Sequence, residues 1–426
     1  MTQESEWVQR DADAIADAMK IRFFPFALDH QEGSTVTSID GDECIDFTAS
    51  WAVANTGYRN EIVRNRIIEE LESTMANTAL SLPHPPLVEL AERLRDRVPG
   101  EHEKQVWFGH SGSEAGDFIF KLFDDAPTGD TMITFAHSYH GQTLGGATLS
   151  GHEATGSAMG DVVTCPFPHG DDDTEALAAV ESALKSNDVA GLITEPLQSD
   201  GGIYDPPEGF LERLEKLCRT HDAYFVIDEV KAGLGRTGTF FAFEKDDVTP
   251  DAVMIGKPLG SGLPISAVVA RADVLDEMDS SHLMTTAGNP LSAVAGLGTL
   301  DAIDSQGLVD RAAELGGTFR GILSDYLGDH DYVHEIRGRG LMQGVEFRDG
   351  NGDPASTFTA KTVYRARELG LLVFYVGHGM NVLELTPPLT IEQETLETGV
   401  KRLRTAMADV ENGAVDDEAI EPYTGW

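Results

Sequence analysis

The sequence predicts an α/β fold, with a large domain on a mainly parallel central sheet and a smaller α+β domain in the carboxyl third. Three observations predict it. Short apolar runs rich in β-branched residues alternate with amphipathic stretches of helical period, the pattern of strands and crossover helices. Several runs stop abruptly at polar or glycine-rich turns, as fully buried parallel strands do. The chain has 426 residues, 41% of them hydrophobic, enough for a large core and more than one domain. Residues 1–60 are expected to form an amino-terminal segment joining the small domain, 61–305 the large domain and 306–426 the small domain.

Residues 1–20 read as a helix with Trp7, Val8, Ile15, Ala16 and Met19 on roughly one side. The apolar stretch IRFFPFALDHQEG follows, broken by Pro25 and Gly33. TVTSIDGDECIDFTAS (35–50) has two alternating runs around Asp40-Gly41, a hairpin pattern leading into Trp51. An aromatic there can line a pocket or simply join the core. Residues 61–76 and 87–98 are amphipathic helices separated by Pro83, Pro85 and Pro86. QVWFGHSGSEAGDFIFKLF (105–123) is strand, tight turn and helix, with Gly112 and Ser113 where the helix begins. Free amides and the helix dipole at such a start suit a phosphate, although glycine also serves ordinary strand–helix turns. TMITFAHSYHGQT (131–143) is a strand ending near Tyr139, whose ring can stack on a flat ligand. His140 fits a site residue and a hydrogen-bonded loop residue equally well.

A helix over 175–186 precedes the strand 190–194, with Glu195, Gln198 and Asp200 at its end. Polar groups gathered on one sheet edge are hard to explain by packing alone. After a helix at 208–221 come AYFVIDEVKAGLGRTG (223–238) and DAVMIGKPLGSGLP (251–264). The first apolar run stops at Asp228 and Glu229, the second at Lys257. Ligands of open α/β sheets sit outside the carboxyl ends of the strands, so Asp228 and Lys257 are expected to enter one crevice from neighbouring strands. Either residue alone reads as half of a structural ion pair. Together they suit pyridoxal phosphate (PLP), with lysine as the Schiff base and aspartate on the ring nitrogen. Arg236 is a candidate for orienting its own loop or pairing with an acid.

Thr285, Thr286 and Asn289 precede a helix of small residues within 281–303, and the threonines either cap it or touch a phosphate. A long helix is expected at 308–327, a strand pair at 333–347, a helix at 360–370, two strands and a loop at 371–391, and a last helix at 392–411.

The net charge is −41, from 72 acidic and 31 basic residues, which repels nucleic acid and anionic lipid. Such a coat also repels itself where salt is dilute. The expectation is a protein of a salt-rich cell interior, and full activity after prolonged dialysis into low salt would count against it. No apolar run has membrane-spanning length, and the acidic amino terminus lacks the pattern of a secretion signal. Cys44, Cys165 and Cys218 are too few and too scattered for a disulfide framework or a zinc site, so a reducing cytoplasm is the simplest home and no metal is expected.

These motifs, in this order and spacing, resemble the class III aminotransferases, PLP enzymes of fold type I, over nearly the whole chain. The resemblance implies that Lys257 carries the cofactor and Asp228 holds its ring nitrogen. It places Val230 and Tyr139 on the two ring faces, Gly112 and Ser113 on the phosphate, and Glu195 beside the ring and substrate. It further implies a homodimer in which Thr285 reaches the partner's phosphate, and leaves open whether dimers pair into a tetramer. Two positions depart from the family. Lys231 stands where a glutamine often contacts the ring hydroxyl. Glu384, in VLELTPPL, stands where many members carry an arginine that clamps a substrate carboxylate. Glutamate would repel that carboxylate. Similarity is greatest to the family's racemase and epimerase members, through KIRFFPFAL (20–28), VWFGHSGSEA (106–115), EPLQSDGG (195–202), DEVKAGLGRTG (228–238), VFYVGHGMNVLELTPPLTI (373–391) and the terminal Gly425-Trp426. The expected activity is racemisation or epimerisation of an amino acid, amino acid amide or amino-lactam. Transamination to a 2-oxo acid is the alternative. Tyr139 is a candidate for the second proton donor, Asp200 for binding a ring amide or relaying a proton, and Trp51, Asp200 and Glu384 for the substrate side.

Overall fold

A computed structural model describes residues 2–73, 79–152, 155, 160–278 and 282–423. The end of the expected 61–76 helix and the terminal Gly425-Trp426 lie outside the described residues.

The chain opens with a helix, Gln3–Ala14, that buries none of its residues. It stops before Ile15, so the apolar side expected over residues 1–20 does not form, and Met19 is 82% exposed. Strands β1 (Leu28–Glu32), β2 (Thr35–Ser38) and β3 (Glu43–Asp46) form an antiparallel meander. β2 and β3 are the expected hairpin, whereas β1, mostly exposed, had no apolar alternation to announce it.

Seven strands make the central sheet: β4 (Lys104–Gly109), β5 (Thr131–Phe135), β6 (Asp161–Cys165), β7 (Val189–Thr194), β8 (Tyr224–Asp228), β9 (Ala252–Ile255) and β10 (Ser266–Arg271). Their order is β4-β10-β9-β8-β7-β5-β6. The pairs from β9 to β6 are parallel, and β10 is antiparallel to both β9 and β4. β5, β7 and β9 are buried at every residue. Alternate side chains feed two separate cores: Phe225, Ile227, Val253 and Ile255 on one face, Val226, Ala252 and Met254 on the other. This double burial is why the runs are continuously apolar. The Pro290–Ser305 helix is buried nearly all round. A Cβ on Gly298 would meet Val63 Cα at 2.8 Å, and one on Gly296 would meet Leu90 Cδ2 at 2.8 Å, so its small residues allow close helix packing.

A third sheet joins β11 (Val333–Arg339), β12 (Met342–Phe347), β14 (Phe374–Val376) and β15 (Val382–Leu385), in the order β11-β12-β15-β14. β13 (Leu371–Leu372) leaves that sheet and pairs in parallel with β3, so 371–391 holds three strands, not two. The buried Arg236 ties these parts together: it donates to Leu341 O, Pro387 O and Asn55 Oδ1, all uncharged acceptors.

Candidate active site

β8 and β9 are parallel neighbours with Asp228 opposite Met254, so both end on the same edge of the sheet. Asp228 is buried there. Its Oδ1 accepts from Val230 N at 2.9 Å, and its Oδ2 accepts from His140 Nδ1 at 2.7 Å. His140 Nε2 is buried with no hydrogen-bond partner among the described residues. Beyond β9 the chain passes Gly256 and reaches Lys257, whose φ of 35° is left-handed and uncommon for a residue with a Cβ. Burial, then the nearby Lys231 ammonium, holds the Lys257 amine below its ordinary range.

Across the cavity the Gly112–Asp124 helix begins, capped by Ser111 Oγ accepting from Glu114 N. Its first-turn amides have no partner within the helix. A Cβ on Gly112 would lie 2.8 Å from Val230 Cγ1, and one on Gly141, which has φ of 124°, would lie 2.6 Å from Ser113 Cα. Glycine at these two positions lets the Val230 side chain and the Ser113 backbone close in. Glu195 Oε1 accepts from Ser199 N at 3.1 Å and Ser199 Oγ at 2.6 Å, and burial pushes the Glu195 carboxyl up to about 7. Burial likewise pushes the Tyr139 phenol to about 12.

Lys231 is buried between two carboxylates, its Nζ 2.9 Å from Asp200 Oδ1 and 2.7 Å from Glu384 Oε1. Burial by itself would raise Asp200, but Lys231 and then Lys257 outweigh it and bring its carboxyl down to about 2. Glu384 is therefore not a bare negative charge, as the sequence suggested; it is the partner of Lys231. The Trp51 ring lies over the Lys231 ammonium, 5.1 Å from Nζ to centroid, and packs on Phe374 at 4.8 Å. Trp51 sits in a left-handed turn, Ala49–Ala52, that contains no glycine. Such backbone costs an L-residue about 1–2 kcal/mol.

The structure brings Gly112, Ser113, Tyr139, Glu195 and Asp200 to one cavity with Asp228, Val230, Lys231 and Lys257. Glu384 and Trp51 are not among the lining residues, but each contacts Lys231. Thr285 is not among the lining residues: it is exposed, in a turn before the Pro290–Ser305 helix. Neither Thr285 nor Thr286 caps that helix; Asn289 does, accepting from Ser292 N. Thr286 Oγ1 instead meets His110 Nε2 at 2.8 Å. His140 is a site residue that sequence reasoning left even; its place on the turn after a buried strand was the available signal. A larger cleft runs between Tyr204 and Arg337, but Glu335 and Glu346 already pair with Arg337 there.

An amine and a carboxylate on adjacent strand ends, beside a helix start closed up by glycine, fit PLP. No group of three or more potential metal ligands occurs among the described residues, and no helix there is long and apolar enough to cross a membrane.

Residues 17–407 match the family model for class III aminotransferases. The chain is 33% identical to isoleucine 2-epimerase of Lentilactobacillus buchneri over 450 aligned positions, covering 100% of this chain and 99% of that one. It is 34% identical to leucine/methionine racemase of Thermococcus litoralis, covering 100% of both. Among solved structures it is similar to the ornithine aminotransferase of Toxoplasma gondii, whose active site is partly occupied by PLP (TM-score 0.86, 27% identity, 96% of this chain and 95% of that one).

Proposed function

Because the chain belongs to the class III aminotransferases, a family of PLP enzymes, we propose that it racemises or epimerises an amino acid or a neutral derivative of one, an amide or amino-lactam, at Cα. The observation that carries this reading is the Lys231–Glu384 ion pair: Glu384, where the resemblance leads to an expected carboxylate-clamping arginine, is paired with Lys231, and Asp200 and Tyr139 share a cavity with Lys257. When bound, PLP supplies an aldehyde that condenses with amines and a ring that draws electrons from Cα.

The protein's residues supply the rest. Lys257 would hold the aldehyde carbon and, with its amine free, would be the base for the Cα proton. Burial and Lys231 favour its neutral form, as a base requires. Asp228, fixed by His140, holds the ring nitrogen protonated. Gly112 and Ser113 amides would hold the phosphate, and Val230 and Tyr139, which line the same cavity, would pack against the ring. Glu195 lies beside the ring and substrate, and Lys231 carries the contact with the ring hydroxyl. Inversion needs a proton delivered from the side opposite Lys257, a role assigned to Tyr139; Asp200, ionised beside Lys231, is assigned to binding a ring amide or relaying a proton.

The second reading, transamination, is favoured by the likeness to an aminotransferase structure. One assay separates the two. With a single enantiomer of leucine in deuterated water and no 2-oxo acid, racemisation places deuterium at Cα and abolishes optical rotation. Retained rotation, with amino transfer once a 2-oxo acid is added, would sink the first reading. We also read the protein as a salt-adapted cytoplasmic homodimer in which Thr285 of one subunit reaches the other's phosphate. Sedimentation as a monomer in high salt would refute the dimer.

A further inference from the structure

Ala49, Ser50, Trp51 and Ala52 hold φ of 43°, 53°, 63° and 59°. L-residues visit the left-handed region singly, because Cβ crowds the following carbonyl oxygen. A run of four persists only where its surroundings over-determine it. Here the surroundings are a polar clamp. The fully buried Asp46 accepts through Oδ1 from Thr48 N at 2.8 Å and Thr48 Oγ1 at 2.7 Å, and through Oδ2 from Tyr58 OH at 2.6 Å. Tyr58 OH in turn meets Ser50 Oγ at 2.8 Å, and Thr48 Oγ1 accepts from Ser50 N at 3.1 Å. Thr386 Oγ1 donates to Thr48 O at 3.1 Å and ties the clamp to the chain just after β15. The turn presents one large side chain, the Trp51 indole, to the Lys231 ammonium.

We propose that Asp46 and Tyr58 are positioning residues, which hold the Ala49–Ala52 turn left-handed so that Trp51 closes the substrate side of the Lys231–Asp200–Glu384 cluster. This rests on the reading of Trp51 as a substrate-side wall. Neither Asp46 nor Tyr58 lines the cavity around Lys257, so their loss is read in substrate affinity and not in cofactor binding.

The test uses the PLP-loaded protein and the shift of the cofactor's visible band as L-leucine or L-leucinamide is added. Tyr58→Phe removes the hydroxyl that joins Asp46 to Ser50 and keeps the ring. It is expected to weaken amine binding about fivefold, the effect of one lost hydrogen bond, with the cofactor band and its affinity unchanged. Asp46→Asn, a second route to the same loss, is expected to act in the same direction. Ala49→Gly in the Tyr58→Phe background is expected to restore affinity, because glycine takes left-handed backbone unaided. Weakened binding in Trp51→Ala tests the wall itself. Normal binding in Tyr58→Phe and Asp46→Asn while Trp51→Ala is weakened would overturn the clamp. Normal binding in all three would overturn the clamp and the wall together. A defect that Ala49→Gly does not relieve would overturn the backbone as its route.

Discussion

Lys231 and Glu384 neutralise each other across 2.7 Å, and their side chains are 4% and 1% exposed. A buried pair is strongly destabilising to break from one side but close to neutral to replace as a whole. Lys231→Met leaves Asp200 and Glu384 facing one another without a cation, and is expected to lose about 3–5 kcal/mol of stability. The triple variant Lys231→Met, Glu384→Leu, Asp200→Asn, which removes every charge of the cluster, is expected to recover a large part of that loss. Denaturant unfolding at high salt checks it; additive losses would show that the three side chains are not coupled.

His140 is the hand that steadies Asp228, through a charge-assisted bond of 2.7 Å. Such bonds contribute about 1.5–3 kcal/mol, or roughly 10–100-fold in an equilibrium constant. His140→Ala is expected to weaken PLP binding by about that factor while Lys257 still reacts with the aldehyde. Cofactor titration followed by absorbance gives the answer, and wild-type affinity in the variant would remove His140 from the site.

Asp200 makes a pH prediction. Its folded carboxyl titrates at about 2, against an ordinary value of 3.8. Between those values the unfolded chain binds more protons, so stability rises with pH across the window. The contribution, about 2 kcal/mol, is complete above the unfolded value and lost as pH falls through the folded one. Asp200→Asn is expected to flatten this acid limb. Glu229, which burial raises to about 8, has the opposite sign: it favours the fold only while protonated, and its contribution declines from pH 4.5 upward. An acid limb unchanged in Asp200→Asn would refute the assignment.

The sheet and cavity were largely legible in the sequence because buried parallel strands are written as unbroken apolar runs. Ala252–Ile255 and Val189–Thr194 could be read that way, and their ends carry Lys257 and Glu195. β6, exposed at Asp161 and Thr164 and only half-buried at Val162 and Val163, carried no such signal. β10 follows Lys257 so closely that its antiparallel return was hidden behind the glycine-rich turn. The Lys231–Glu384 pair was illegible for a different reason. Each residue could be seen as a departure from the family, but their partnership spans two sheets and no local period connects them. The clamp on Trp51 was likewise invisible, since Asp46 and Tyr58 look like ordinary strand and turn residues until φ is known.

The pairing of β4 with β10 bears on how the molecule is made. The Gly112 turn follows β4, yet that strand's partner, Ser266–Arg271, is synthesised about 160 residues later. At ribosomal speeds that is a delay of roughly 10–30 s during which one edge of the nascent sheet stands open. The site beside β4 cannot be complete on the emerging chain until this late strand has zipped in, while the carboxyl third is still to be made, and the wait is a window in which a chaperone, or another unfinished copy, can reach the edge first.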